Sequence, residues 1–282
     1  MTARFDTVLM VDWSGGNDRG AKPKKDAIWA ALVRGGRAGE PIYLRNRQVA
    51  EAWLRDLLEA EQRAGRRVLA GFDFPFGYPA GVAARITGQA DPFALWDWLE
   101  ARIEDNPRAN NRWQLAAEMN ARFPGTGPFW GNGSKTDVAG LPRRGREREG
   151  HGAPELREVE RIAKGTFSVW QLAGAGAVGS QVLMGLPVLN RLRRRFEASV
   201  WPFDPPQGSV VMAEIWPSFL APEVRAQCAR TKEIRDAVQV RLMARAFARL
   251  PEPHLARMLA TRSPEEGWIL GLGFEEQLRA AL

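Results

Sequence analysis

Carboxylates follow apolar runs at three places in this sequence, and this repetition is its clearest indication of chemistry. Each run is rich in aliphatic or β-branched residues, which is typical of a buried strand. An ionised carboxylate at the end of such a strand is costly unless a cation or a hydrogen-bond donor meets it. We therefore expect the three side chains to converge at one edge of a sheet. The three acids are Asp12, Asp73 and Glu214.

A fourth acid, Asp236, lies at the start of the most regular helical pattern, 234–250. Oxygen ligands from separate elements suit a pair of Mg²⁺ ions, which orient a water and stabilise charge on a phosphoryl group. The alternative for each acid alone is structural, because strand-end and helix-start acids commonly cap turns or compensate the helix dipole. The predicted metal ligands and catalytic residues are Asp12, Asp73, Glu214 and Asp236.

Composition excludes several other kinds of site. Cys228 is the sole cysteine among 282 residues, and His151 and His254 are the two histidines, so a disulfide framework or a Cys/His zinc site is excluded. Any metal must be held by oxygen, which favours Mg²⁺ or Mn²⁺. No apolar run of about eighteen residues is present and the N-terminus lacks a signal-peptide pattern, so we expect a cytoplasmic protein without a membrane span.

The net charge of +7 admits a polyanionic partner such as nucleic acid or a nucleotide. The alternative without a function is that the arginines form a solvated surface. Trp13 and Trp216 stand beside predicted site acids, where they could stack on a base. Basic residues concentrate in 22–25, 143–148 and 191–195. The predicted substrate-binding residues are Ser14, Lys135, Arg143 and Arg144.

Two glycine-rich motifs suggest phosphate binding. The segment 131–136 resembles a P-loop, but Ser134 separates Gly133 from Lys135, so it is not a Walker A motif. Its turn could still expose backbone amides to an anion. The segment 174–179 matches G-x-G-x-x-G between a predicted strand, 167–172, and a predicted helix, but lacks the expected acid about twenty residues on. Close packing through small residues is the alternative.

Periodicity predicts three strands, a helix and a fourth strand in the first 72 residues, and a parallel partner for the first strand needs such a helical crossover. We expect a single domain over 1–282 with a mainly helical or loop insertion at 77–165. The predicted strands begin near Thr7, Asp26, Pro41, Val68 and Val210. The predicted helices cover 48–64, 92–103, 110–123, 181–196 and 234–250, with a short helix at the C-terminus.

Several of these segments resemble the RNase H-like superfamily. They are the first strand ending in Asp12, the Asp73-Phe74-Pro75 strand end, Glu214-Ile215-Trp216-Pro217-Ser218 and the helix start Lys232–Ala237. More narrowly, the chain resembles a bacterial domain-of-unknown-function branch of that superfamily. Some relatives of that branch carry the label molybdopterin guanine dinucleotide synthesis. The segments 176–181 and 201–203 also fit this branch.

The resemblance implies an α/β fold with an RNase H-like mixed sheet, βββαβαβα, and two-metal phosphodiester chemistry. It assigns Asp12 to the first strand, Asp73 to the fourth, Glu214 to the fifth and Asp236 to the helix. Many active nucleases of the superfamily also carry an acid in the first crossover helix. Here that helix contains Glu51, Asp56 and Glu59 outside a recognisable motif. The implied activity is a divalent-metal-dependent phosphodiester hydrolase using Mg²⁺ or Mn²⁺.

The alternative function is non-hydrolytic binding of a nucleotide or phosphate on the same fold. Ser14 with Gly15 and Gly16 resembles the first phosphate loop of sugar-kinase and actin-like ATPases. Those proteins duplicate the fold, whereas this chain shows no internal repeat. A dinucleotide or molybdopterin-nucleotide role also belongs to this class. The sequence does not indicate an oligomeric state.

Overall fold

Seven strands form one mixed sheet within residues 4–282, the part of the chain that the computed structural model describes. In chain order they are β1 (Thr7–Asp12), β2 (Ile28–Arg34), β3 (Arg37–Ala38), β4 (Ile42–Arg45), β5 (Val68–Phe72), β6 (Ser199–Trp201) and β7 (Val210–Glu214). Their order across the sheet is β3-β2-β1-β5-β7-β6, and β4 also pairs with β2. The α/β class expected from the sequence is therefore present.

The central strand β1 has an antiparallel neighbour, β2, and a parallel neighbour, β5. The parallel series continues from β5 to β7 and from β7 to β6. Because β1, β5 and β7 run in one direction, their carboxyl ends lie at one edge of the sheet. The expected parallel pairing of the first and fourth predicted strands is confirmed.

Helices connect the strands and account for most of the remaining regular structure. They are α1 (Arg47–Arg63), α2 (Val82–Thr87), α3 (Pro92–Glu100), α4 (Arg112–Asn120), α5 (Glu158–Ile162), α6 (Val178–Phe196), α7 (Ala221–Thr231), α8 (Arg235–Arg249), α9 (Glu252–Leu259) and α10 (Glu275–Ala280). Helix α1 begins where the Asn46 side chain accepts the Val49 N–H at 3.1 Å. Helix α8 packs against β1 and β2 through a buried stripe that includes Val240 and Phe247.

The chain divides into two compact units. The first contains the whole sheet and comprises residues 4–74, 192–262 and 268–282; the second comprises 75–191 and 263–267. The predicted insertion at 77–165 lies inside the second unit. In the described chain, 4–282, no helix combines the length and apolar character needed to cross a membrane.

The prediction of a strand at 167–172 is wrong. That segment forms turns, and its sheet-like pairing is limited to an isolated bridge between Gln171 and Trp130. The Leu172 N–H donates to the Trp130 carbonyl at 2.9 Å, while the Trp170 indole N–H donates to the Pro154 carbonyl at 2.8 Å. Apolar residues here are buried by packing around turns, which an apolar run cannot distinguish from a strand.

Gly71 lets β1, β5 and the chain after β7 approach closely. A Cβ at Gly71 would lie 2.8 Å from Cγ2 of Ile215 and would also overlap Sδ of Met10. Met10, Gly71 and Ile215 therefore share one face of the sheet, with the Met10 thioether filling the space that a side chain at Gly71 would need.

We expect Gly71→Ala to lower the free energy of unfolding by about 1–3 kcal/mol, because overpacking forces neighbouring side chains from their rotamers. Urea denaturation measures this change. The matched control is Gly39→Ala, where the nearest atom to the new Cβ is the Leu32 carbonyl oxygen at 3.6 Å. If Gly71→Ala lowers the free energy of unfolding no more than Gly39→Ala does, the Met10 side chain moves aside at little cost.

Candidate active site

Asp12 and Asp73 lie side by side at the carboxyl edge of the sheet. Val11 in β1 pairs with Phe72 in β5, so the next residue of each strand is an aspartate at the same level. The Asp73 N–H donates to the Val11 carbonyl at 3.2 Å, which extends the pairing to the site. The two side chains share a hydrogen bond. That hydrogen bond raises the pKa of Asp12 and lowers the pKa of Asp73, in each case as a smaller cause than burial.

Asp236 joins this pair from the first turn of α8. Its Oδ2 accepts the backbone N–H of Asp26 at 2.7 Å, which ties the start of α8 to the residue two positions before β2. Its negative charge raises the pKa of both Asp12 and Asp73. We call Asp12, Asp73 and Asp236 the aspartate cluster.

Burial dominates the electrostatics of the aspartate cluster. Desolvation is the largest cause that raises the pKa of Asp12 well above its usual range, followed by the charges of Asp73, Asp236 and Asp26. Desolvation also raises the pKa of Asp73 well above its usual range, although the Trp13 N–H, 2.6 Å from Oδ1, opposes this. The pKa of Asp236 is raised by burial too. Ionising all three carboxyl groups together is therefore less favourable than ionising three separate aspartates in water.

Glu214 lies at the same edge of the sheet but on its other face. Glu214 pairs with Phe72, one residue before Asp73. Since side chains alternate along a strand, Glu214 and Phe72 face away from the side that holds Met10, Asp12 and Asp73. The structure thus brings together three of the four predicted acids and places buried Glu214 apart from them.

Asp26 is the acid near the cluster that the sequence prediction missed. Its side chain is exposed, and its charge raises the pKa of both Asp12 and Asp236. The register of the β1–β2 hairpin is the signal that could have found it. Asp12 pairs with Trp29, so the residues just before β2 come back toward the end of β1.

Ser14 stabilises the turn that follows β1. Its hydroxyl donates to the Asp26 carbonyl at 2.9 Å and accepts the Gly16 N–H at 3.0 Å. The buried guanidinium of Arg47 donates to the Ser14 carbonyl at 3.2 Å and also to the Gly16 carbonyl. These contacts fix the turn next to Asp12 and explain Ser14 without a bound phosphate.

The predicted basic residues of the second unit support a loop of their own. Arg143 Nε lies 2.7 Å from Asp137 Oδ1, and its Nη1 donates at 3.0 Å to the carbonyls of Asn132 and Ser134. Arg144 donates its backbone N–H to the Glu147 carboxylate at 3.1 Å. Lys135 is exposed in the same loop. Arg143 thus holds the 132–137 turn in place.

One basic segment adjoins the aspartate cluster within the first unit. Lys24 forms an ion pair with Asp18 at 2.9 Å, and Lys25 lies 3.9 Å from the exposed carboxylate of Asp26. Arg235, directly before Asp236, lowers the pKa of that acid. Two cations thus lie near the cluster, with Arg235 next to Asp236 and Lys25 next to Asp26.

Trp13 cannot serve as a stacking surface, contrary to the sequence prediction. Its side chain is 1% exposed and packs against Phe72 and Phe74, with ring centroids 6.3 and 5.7 Å away. Trp13 instead supports the opposite face of the strand end that carries Asp12. Its backbone N–H, through the bond to Asp73, is the group that contributes to the site.

The 174–179 motif does not offer its backbone as a dinucleotide loop would. The Gly179 N–H donates to the Gln171 carbonyl at 3.0 Å, and a Cβ at Gly179 would lie 2.8 Å from that same oxygen. The Val178 N–H donates to the Gly176 carbonyl at 2.8 Å. The contacts agree with the packing alternative, since these amides bond within the chain.

The carboxylates present suit a hard divalent cation in their chemistry. All are oxygen donors, as Mg²⁺ and Mn²⁺ prefer. Among the side chains of residues 4–282, however, no group of three or more His, Cys, Asp or Glu is placed so that it could hold a metal ion. A cation at Asp12 and Asp73 would favour the ionised form of both carboxyl groups.

Comparisons with known proteins find no counterpart of this site. A scan against protein-family models, a search of curated proteins and a search of solved structures each return no match. What the site can do must therefore follow from its own geometry.

We expect Asp12→Asn to raise the free energy of unfolding at pH 7 by on the order of 1 kcal/mol when no divalent cation is present. Below the pKa of an unfolded aspartate, near 3.9, the folded and unfolded states are both protonated and Asp12 costs nothing. As the pH rises, the unfolded state ionises freely while the folded state resists, so stability falls. Asparagine removes this loss.

Urea denaturation of both proteins between pH 3 and 8 tests the expectation. The stability difference should grow with pH and vanish toward pH 3. Asp56→Asn is the matched control, because the side chain of Asp56 is 72% exposed on α1. A destabilising Asp12→Asn at pH 7 would mean that the cluster is ionised and internally compensated.

Proposed function

We propose that the aspartate cluster binds a divalent cation and that the protein performs metal-dependent phosphoryl chemistry. Specifically, we propose a phosphodiester hydrolase of RNase H-like fold. The observation that carries this proposal is the convergence of Asp12, Asp73 and Asp236 from three separate elements, with a hydrogen bond between the first two side chains. Raised carboxyl pKa values in one cluster mark candidate functional sites.

The topology supports the RNase H-like part of the proposal. The chain begins with antiparallel strands, crosses over through α1, and places β5 parallel to β1 as its direct neighbour. Helix α8 then packs against β1 and β2 and supplies Asp236. The resemblance drawn from the sequence implies this arrangement of strands and these positions for three of the acids.

Protein groups hold the carboxylates in place for such a site. The Trp13 N–H holds one oxygen of Asp73, and the Asp26 N–H holds one oxygen of Asp236. These bonds fix the orientation of both carboxylates. A divalent cation bound here would orient a water and stabilise charge on a phosphoryl group.

The exposed charges near the cluster favour a polyanionic substrate, which we propose to be nucleic acid. Arg235 acts on Asp236, Lys25 lies beside Asp26, and the whole chain carries a net charge of +7. Such cations offset the repulsion that the carboxylates would exert on a phosphodiester.

We expect Mn²⁺ or Mg²⁺ to raise the melting temperature of the wild-type protein and to support cleavage of a labelled oligonucleotide. Asp12→Asn and Asp236→Asn should each lose the metal-dependent rise and reduce cleavage at least about a hundred-fold, because both remove an anionic ligand. Asp56→Asn, on the exposed face of α1, is the control that should keep both properties.

The outcomes separate the two functional classes. Metal binding and nucleic-acid binding without cleavage of RNA, DNA or branched substrates would replace the hydrolase with a non-hydrolytic nucleotide- or phosphate-binding protein. No metal response at millimolar Mn²⁺ would remove the metal from the proposal altogether.

Glu214→Gln distinguishes the sequence prediction from the placement in the structure. Because Glu214 faces away from Asp12 and Asp73, we expect the neutral variant to keep the metal-dependent rise in melting temperature. A lost response in a variant with native circular dichroism would return Glu214 to the metal site.

A further inference from the structure

The ring of Phe167 rests on bare backbone of the glycine-rich segment, yet about half of the side chain is in solvent. A Cβ built on Gly176 would lie 2.7 Å from Cγ and 2.5 Å from Cε1 of Phe167, so a glycine is needed beneath the ring. Phe167 is nevertheless 51% exposed. Gly176 of the 174–179 motif thus supports an exposed aromatic ring.

Hydrogen bonds on both sides fix this support. Gln171 Nε2 donates to the carbonyls of Ala173 and Ala175 at 3.0 and 2.8 Å, which closes the glycine-rich turn. Thr166, directly before Phe167, donates its hydroxyl to the Ala163 carbonyl at 2.8 Å. We call Phe167 and the 173–176 turn the Phe167 platform. Because the platform is ordered, a ligand would bind without the cost of ordering it.

Two exposed cations lie in the chain segment that leads to the platform. Arg161 and Lys164 are exposed, and Ile162 between them is 55% exposed. The buried acid of the same helix, Glu160, is paired with Arg157 at 3.0 Å, so its charge is compensated. The exposed acid, Glu158, stands at the opposite end of α5. The segment 161–167 therefore presents an aromatic ring together with positive charge.

We propose that the Phe167 platform binds single-stranded nucleic acid, with an unpaired base stacked on the Phe167 ring and phosphates near Arg161 and Lys164. Stacking on an aromatic ring combined with cations along the backbone is the usual mode of single-strand binding. A hydrophobic protein partner is disfavoured, because two apolar side chains fall far short of the area of a stable protein interface. The inference shares its ligand with the proposed function but requires neither metal nor cleavage.

The test is fluorescence anisotropy with a fluorescein-labelled single-stranded oligonucleotide at low salt in EDTA. Phe167→Ala should weaken binding at least about five-fold, the low end of base–aromatic stacking. Phe167→Trp should retain or strengthen it, whereas Phe167→Leu should be as weak as Phe167→Ala. Val49→Ala removes another exposed apolar side chain, on α1, and should change nothing.

Gly176→Ala probes the support itself, because its Cβ would displace a ring that remains present. It should weaken binding as Phe167→Ala does, with thermal unfolding confirming that the variant is folded. Equal affinity of the Leu and wild-type proteins, unchanged affinity of Phe167→Ala, or no binding by the wild type would each overturn the platform. The binding assay contains EDTA and measures no cleavage, so its result does not depend on whether the protein is a hydrolase. If the Phe167→Ala protein binds as the wild type does and still cleaves with metal, the platform proposal is wrong and the hydrolase proposal stands.

Discussion

The parallel pairing of β1 with β5 is the constraint on which the candidate site depends. It sets Asp12 and Asp73 at the same level, close enough to share a hydrogen bond. Burying two carboxyl groups together is unfavourable when both are ionised, and the Trp13 N–H offsets part of this cost at Asp73. Helix α8 then adds Asp236, which the backbone N–H of Asp26 holds in place. The carboxyl groups of the site therefore repel one another when ionised, and a bound cation would reduce that repulsion.

Much of the fold was predictable, because long periodic segments carry their own signal. The helices near 47–63 and 235–249 and the strand pairing of β1 with β5 follow from apolar spacing and crossover rules. Glu214 shows the limit. Sequence spacing locates a strand end but not the register of its pairing, and a shift of one residue relative to Asp73 changes the face of the sheet. Asp26 was missed for the same reason, since hairpin register placed it.

Short polar motifs proved harder to interpret than strand-end acids. Ser14, Arg143 and Gly179 each lie in a segment that suggested an anionic ligand, and each bonds to backbone groups of this chain. The physical reason is general: turns leave backbone donors and acceptors without ladder partners, and nearby polar side chains satisfy them first. A sequence pattern for an anion-binding turn and one for a self-satisfied turn therefore look alike.

The pairing of β5 with β7 has a consequence for how the chain folds. Phe72 pairs with Glu214, although the main segment of the second unit, 75–191, lies between them in the sequence. Closing so long a loop is entropically costly, and contacts of high sequence separation slow folding. If the second unit gains its own structure first, the effective loop shortens. Because the β1–β5 pairing joins residues closer in the sequence than the β5–β7 pairing does, we expect β1 and β5 to pair first in refolding.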